Sequence, residues 1–206
     1  MTITEQVVAR APEEMAEAIA ALVTASCAEL DVYRWVFPES AVRAEALAES
    51  CRLAVDQVWS GAGGHADVVA DEDGRVLGAA VWFAGRPPFP SEIFERYLAG
   101  VGTAAARLRQ MEEFLLAGHS GGDEEYLRFL AVVPGRRGVG LGSSLLAHRL
   151  RELDRVGRAA TVEAVSARGV TLCAQHGFVP VGSEFRGPGQ TRARPIMVPM
   201  RRAPTR

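Results

Sequence analysis

The run PGRRGVGLGS, Pro134 to Ser143, sets four glycines and two arginines between an apolar stretch and an amphipathic one. Glycine leaves main-chain N–H groups unshielded and accepts the left-handed backbone that lets neighbouring amides converge. At the start of a helix such amides meet the positive end of the helix dipole, and the pair of effects binds anions, phosphates above all. Two common forms of this loop do not fit. A dinucleotide fingerprint begins correctly with Gly138, Val139 and Gly140 but has Ser143 where its third glycine belongs. A P-loop has the spacing from Gly135 to Gly140 but finds Leu141 where lysine must stand. The plain alternative is a turn with no ligand.

Other reactive groups lie nearby in sequence. Glu163 interrupts the apolar strand pattern TVEAV, where a carboxylate can act as a base through water or make a structural hydrogen bond. His65 and His119, each beside glycines, are alternative bases, and His176 in QHGF reads as packing or capping a helix end. DVYRWVFP gathers Tyr33, Trp35 and Phe37 with Asp31, and GRPPFP adds Phe89. Aromatic faces and a carboxylate hold an amine with a flat apolar body, although Trp35 and Phe37 equally suit packing between the first two helices.

These groups need elements to position them. The spacing predicts an edge strand over 3–11, a helix from Pro12 with acids in its first turn, an aromatic connection over 31–40, and a second helix over 40–59. HADVVA and RVLGAAVWF flank the turn DEDG as a hairpin, and a third helical region over 92–118 is weakened at Gly100 and Gly102. Then come a strand YLRFLAVV, a helix from Leu141 to Val156 with five leucines on one face, a strand AATVEAV, a short helix ended by Gly177, and strands VPVGSEF and RPIMVPM around the loop RGPGQT. This order requires a mixed sheet.

Composition narrows the function. The chain has 206 residues, 48% hydrophobic, enough for one domain with a sizeable core. A net charge of -2 gives no global field for nucleic acid, although six Arg stand against Glu152 and Asp154 between Arg136 and Arg158. All 23 basic residues are arginine, which removes Schiff-base chemistry. Cys27, Cys51 and Cys173 lack a CxxC spacing, against a disulfide framework or a thiolate metal site. With no signal-like N-terminus and no apolar run of membrane length, the expectation is a cytoplasmic protein without metal, nucleic acid or membrane partners, as monomer or homodimer.

Arg137 to Gly142, RGVGLG, resembles the R/Q-x-x-G-x-G/A segment of the GCN5-related N-acetyltransferases (GNAT), and VEAVSARGVTLCAQHGFVPVG, Val162 to Gly182, resembles the strand, helix and GF turn that follow it. VVADEDGRVLGAAVW and RQMEEFLLAGH extend the likeness toward the branch that includes puromycin N-acetyltransferase and its actinobacterial relatives. The resemblance implies an α/β fold: a mixed, mostly antiparallel twisted sheet of about six or seven strands flanked by helices, with splayed central parallel strands. It implies one domain, 1–206, with an acceptor half over 1–120 and an acetyl-CoA half over 121–206. The activity implied is acetyl transfer from acetyl-CoA to a primary amine of a small molecule, an antibiotic or aminonucleoside-like compound among the candidates. The alternative is a coenzyme-binding sensor or accessory protein with little catalysis.

The resemblance also implies roles. The main chain at Val132 and Val133 bonds the pantetheine arm and the acetyl carbonyl. Val139, Gly140, Gly142 and Ser143, with Gly138 in the same loop, offer N–H groups to the pyrophosphate, and Arg137 and Arg136 add charge. Glu163 matches a position where relatives often carry Glu. Cys173 stands where many relatives carry a tyrosine acid, and Gly169 where they carry asparagine. Cys173 is then a thiol acid, a nucleophile that attacks the thioester, or an inert core residue.

Overall fold

The computed structural model describes residues 7–61, 63–86, 91–117, 123–186 and 197–205. Its strands are β1 (Ala9–Arg10), β2 (Gly64–Ala70), β3 (Val76–Ala84), β4 (Glu125–Val132), β5 (Ala160–Ala164), β6 (Val179–Pro180) and β7 (Val198–Arg202). Its helices are α1 (Ala16–Ala28), α2 (Asp31–Val36), α3 (Ser40–Asp56), α4 (Ser91–Gly100), α5 (Ala105–Ala117), α6 (Leu141–Val156) and α7 (Ala167–Gln175).

Seven strands form one sheet in the order β1-β2-β3-β4-β5-β7-β6, antiparallel except where β4 meets β5. That parallel pair is short: Glu125, Tyr126 and Leu127 face Ala160, Thr161 and Val162, and there the pairing stops. β4 runs on to Val132 along β3, while β5 runs on to Ala164 along β7. The two strands therefore diverge and leave a split in the middle of the sheet.

Strand alternation sends β3 side chains to two cores. Ala79, Val81 and Phe83 join a core with α1 to α5, and Ala80 and Trp82 join one with α6 and α7. Leu141, Leu145, Leu146, Leu150 and Leu153 are buried on one face of α6, as its spacing predicts. The β2–β3 turn is held by Asp71, whose Oδ1 accepts from the N–H groups of Asp73 at 3.1 Å and Arg75 at 2.9 Å. Ser166 caps α7, accepting from the Gly169 N–H at 3.0 Å. No helix among the described residues is long and apolar enough to cross a membrane, and these residues contain no cluster able to hold a metal ion.

Several local expectations are corrected. DVYRWV is a helix, because Val32 and Val36 are nearly fully buried and Asp31 sits in the first turn, where the dipole favours an acid. The third helical region is two helices, broken where Gly102 takes φ +54. Of the first predicted strand only Ala9–Arg10 pairs, and residues 1–6 lie outside the described ones. VPVGSEF contributes a two-residue strand and a single bridge from Phe185 to Met197. Residues 187–196, with most of the RGPGQT loop and the start of RPIMVPM, lie outside the described ones.

Candidate active site

β4 leads through Val133 and a short 3-10 turn, Pro134–Arg136, into the glycine loop. Gly138 and Gly140 take φ +85 and +94, and a Cβ at either would meet nothing within 4 Å. Backbone angle, not crowding, requires glycine at these two positions. Gly142 serves a different end: a Cβ there would lie 3.2 Å from the Leu172 side chain, so glycine lets α6 approach α7. Among the described residues the N–H groups from Gly138 to Ser143 meet no carbonyl of the chain, and the first that does is Ser144, on the Gly140 oxygen at 2.9 Å. Unanswered donors at the N-terminus of a long helix form an anion cradle.

The side chains around the cradle are engaged. Arg137 reaches Glu29, at the end of α1, at 2.5 Å, while Arg136 is exposed. Ser143 Oγ lies 2.7 Å from His176 Nε2, and the His176 carbonyl accepts from Arg202, which also makes a bidentate pair with Asp154. Burial, and then the Arg202 charge, hold the His176 pKa below its ordinary value. His176 thus steadies the cradle as a neutral ring at the end of α7, beyond simple capping.

A cavity of about 960 Å³ runs from this loop into the split. Its β4 wall includes Val132, and here the ladder selects between the two predicted main-chain partners. The Val133 N–H donates to the Leu77 carbonyl at 2.9 Å, so Val133 turns toward β3. Antiparallel alternation then turns the Val132 N–H and C=O toward the side that β5 has vacated. Val132 offers the open edge, whereas the Val133 N–H is already taken by β3.

Glu163 lines the opposite wall and accepts from the Tyr126 hydroxyl at 2.7 Å. Burial, reinforced by the Glu163 charge, raises the Tyr126 pKa, so the phenol keeps its proton and serves as a donor. Arg128 is the residue at which the β3–β4 register slips: Val81 faces Phe129 and Trp82 faces Leu127. Such a bulge turns Arg128 toward the α1–α5 side together with Phe129, where it is electrostatically coupled to Tyr126, Glu112 and Tyr33. Tyr126 and Arg128 were legible only as polar letters in an otherwise apolar strand.

Cys173 also lines the cavity, 3% exposed, and burial pushes its thiol up to about 11. Such a thiol supplies almost no thiolate near neutrality and holds its proton more tightly than a leaving thiolate of ordinary basicity, about 8.5. Both chemical roles for Cys173 lose support. Gly169 lies beside the Ser166 hydroxyl, where a Cβ would come within 3.2 Å.

The predicted acceptor residues separate. Tyr33 lines the cavity. Phe37, 1% exposed, belongs to the core and not to the cavity wall. Trp35 packs edge-on against Phe185 at 5.4 Å, with Arg107 over its ring, and does not line the cavity. Phe89 and His119 lie outside the described residues. His65 lies in β2 on the opposite face of the sheet, 3.6 Å from Glu125, and does not reach the cavity.

No family model and no curated protein matches the sequence. Solved structures do resemble the chain along nearly its full length. A Corynebacterium glutamicum protein described as histone acetyltransferase HPA2 and related acetyltransferase has a TM-score of 0.69 and 25% identity, covering 98% of this chain and 97% of its own. A GNAT superfamily phosphinothricin acetyltransferase from Sinorhizobium meliloti, in complex with AcCoA, has a TM-score of 0.59 and 18% identity over 96% of this chain and 88% of that one. Arylalkylamine N-acetyltransferase 2 from Aedes aegypti has a TM-score of 0.65 and 13% identity over 98% of this chain and 100% of that one.

Proposed function

We infer that this chain, which has the GNAT acetyltransferase fold, is an N-acetyltransferase that binds acetyl-CoA and acetylates a primary amine of a small molecule. The observation that carries the reading is a coincidence of three features on one cavity: the unanswered N–H groups of the glycine loop, the open Val132 edge, and Glu163. The loop amides would hold the pyrophosphate, with Arg136 and, once released from Glu29, Arg137 adding charge. Val132 would take the pantetheine arm in place of the missing strand. Acetyl-CoA supplies an acyl group activated as a thioester. Glu163, fixed by Tyr126, would receive the amine proton through water as the N–C bond forms and the C–S bond breaks, and solvent would protonate the departing thiolate. We place this activity in the cytoplasm, without a metal.

Aminonucleosides belong among the acceptors to be tried, given the sequence likeness to the puromycin-acetylating branch. The high thiol pKa of Cys173, where relatives carry a tyrosine acid, favours a second reading as a coenzyme-binding protein with little catalysis. Calorimetric titration with acetyl-CoA, followed by free-thiol release across aminonucleosides, aminoglycosides, arylamines, amino acids and peptide N-termini, tests both. Binding with turnover of at least one class is the expected result. Binding without turnover leaves the second reading, and absence of binding ends both.

A further inference from the structure

The coenzyme end of the cavity carries a side-chain pair that the transfer chemistry does not use. Ser143, the third residue of α6, lines the cavity and belongs to the run of unanswered N–H groups. His176 does not line it, yet its Nε2 lies 2.7 Å from the Ser143 Oγ. Among the described residues that ring is the hydroxyl's one partner.

Nothing local brings the two together, since 33 positions of sequence separate them. The end of α7 is built to hold the ring there. Gly177 takes φ +84 with its N–H on the Ala174 carbonyl at 3.0 Å, and the Phe178 N–H returns to the Cys173 carbonyl at 3.1 Å. From the other side Arg202 Nε donates to the His176 carbonyl at 2.9 Å, and Asp154 and Thr205 hold that guanidinium in turn. The main chain bearing the ring is thus tied to both α6 and β7.

Burial, and then the Arg202 charge, keep this ring neutral. A neutral imidazole has one N–H and one bare nitrogen, so the bond to Ser143 can run in either sense. With Nε2 bare, the Ser143 hydroxyl gives its hydrogen to the ring. With the hydrogen on Nε2, the ring donates to Oγ, and the hydroxyl is left to donate into the cradle, polarised by the bond it accepts. Only the second arrangement offers an anion in the cradle an O–H donor, and a ligand draws the pair toward the state it binds better.

We propose that His176 is a positioning residue for the coenzyme: its Nε2–H, donated to Ser143 Oγ, aims the Ser143 hydroxyl at the diphosphate. This inference rests on the acetyltransferase reading and adds to it a neutral side-chain donor.

The direct test uses the wild-type protein. Nitrogen NMR of isotope-labelled histidine rings, with the His176 signals assigned by their loss in His176→Gln, reads the state of each ring nitrogen. In the acetyl-CoA complex Nε2 is expected to carry hydrogen, and a bare Nε2 there overturns the inference. Calorimetry supplies a second arm. Ser143→Ala should weaken acetyl-CoA binding by about 10- to 100-fold, the span of a hydrogen bond to a charged group. His176→Leu, which occupies the space without donating, should weaken it by about 3- to 10-fold, and His176→Gln, whose side-chain N–H can replace Nε2–H, should recover most of that loss. In the His176→Leu background the cost of Ser143→Ala should shrink by the factor that His176→Leu itself removes. Binding unchanged by Ser143→Ala, costs that simply multiply, or a glutamine no better than leucine overturns the inference. Should His176→Leu lack a thermal unfolding transition, the NMR result decides. A wild-type protein that does not bind acetyl-CoA overturns the acetyltransferase reading instead.

Discussion

The two ends of the central cavity use opposite chemistries. The loop end presents main chain: amides from Gly138 to Ser143 and the Val132 edge, arranged by two left-handed glycines and the start of α6. The far end presents side chains: Arg128, Tyr126, Glu163 and Tyr33, delivered from two strands and from α2. A main-chain site depends on backbone shape and tolerates most changes of side chain. A side-chain site depends on which letters stand at a few positions, so one fold can serve many acceptors.

The largest effect should come from the loop. Gly140→Val forces a β-branched residue to φ +94 and shields the neighbouring amides, so acetyl-CoA affinity should fall by about 100-fold or more in calorimetry, with the thermal transition retained. Unchanged affinity would mean that the cradle is not where the diphosphate sits. Glu163→Gln sharpens the contrast from the other side. It should lower kcat by roughly 100-fold or more, within the span of general-base catalysis, and leave acetyl-CoA binding near its wild-type value.

His65 provides a control outside the split. It is buried between β2 and α6, beside Asp67, Glu125 and Arg149, and burial followed by the Arg149 and Arg10 charges lowers its pKa to about 3. Unfolded, it takes up a proton near its ordinary 6.5. Protonation therefore favours the unfolded chain: this contribution to stability is full above about pH 6.5 and is lost as pH falls toward 3. Denaturant unfolding followed across that window should show a steep loss in the wild type and a shallower one in His65→Gln. The smallest effect belongs to Cys173→Ser, which should hold kcat within about threefold of wild type while stability falls by about 1–2 kcal/mol, as a buried thiol gives way to a hydroxyl. A hundredfold loss of kcat would restore a chemical role to the thiol.

The legible part of the fold was that written in short-range pattern. The leucines of α6, the DEDG turn and the glycine loop each declare themselves within a few residues, because period and backbone angle are local properties. DVYRWV misled because its aromatic letters suit a strand, a loop or a pocket equally, and only the burial of Val32 and Val36 makes it a helix. The aromatic acceptor set misled for a related reason. A large aromatic side chain looks the same in sequence whether it lines a cavity, as Tyr33 does, or packs on a neighbouring ring, as Trp35 meets Phe185.

By itself the sequence determined a glycine-rich turn at the head of a helix, a carboxylate in the next strand, and a mixed sheet to hold them. Tertiary structure alone decided which main-chain groups remain open, since the choice between Val132 and Val133 depends on the partner strand and its register. It also decided that Arg128 enters the cavity, because a bulge exists only between two strands, and that Tyr126 meets Glu163 across 37 positions of sequence. Local conformation follows from residues and their near neighbours, whereas the encounter of distant side chains depends on how the whole sheet is paired.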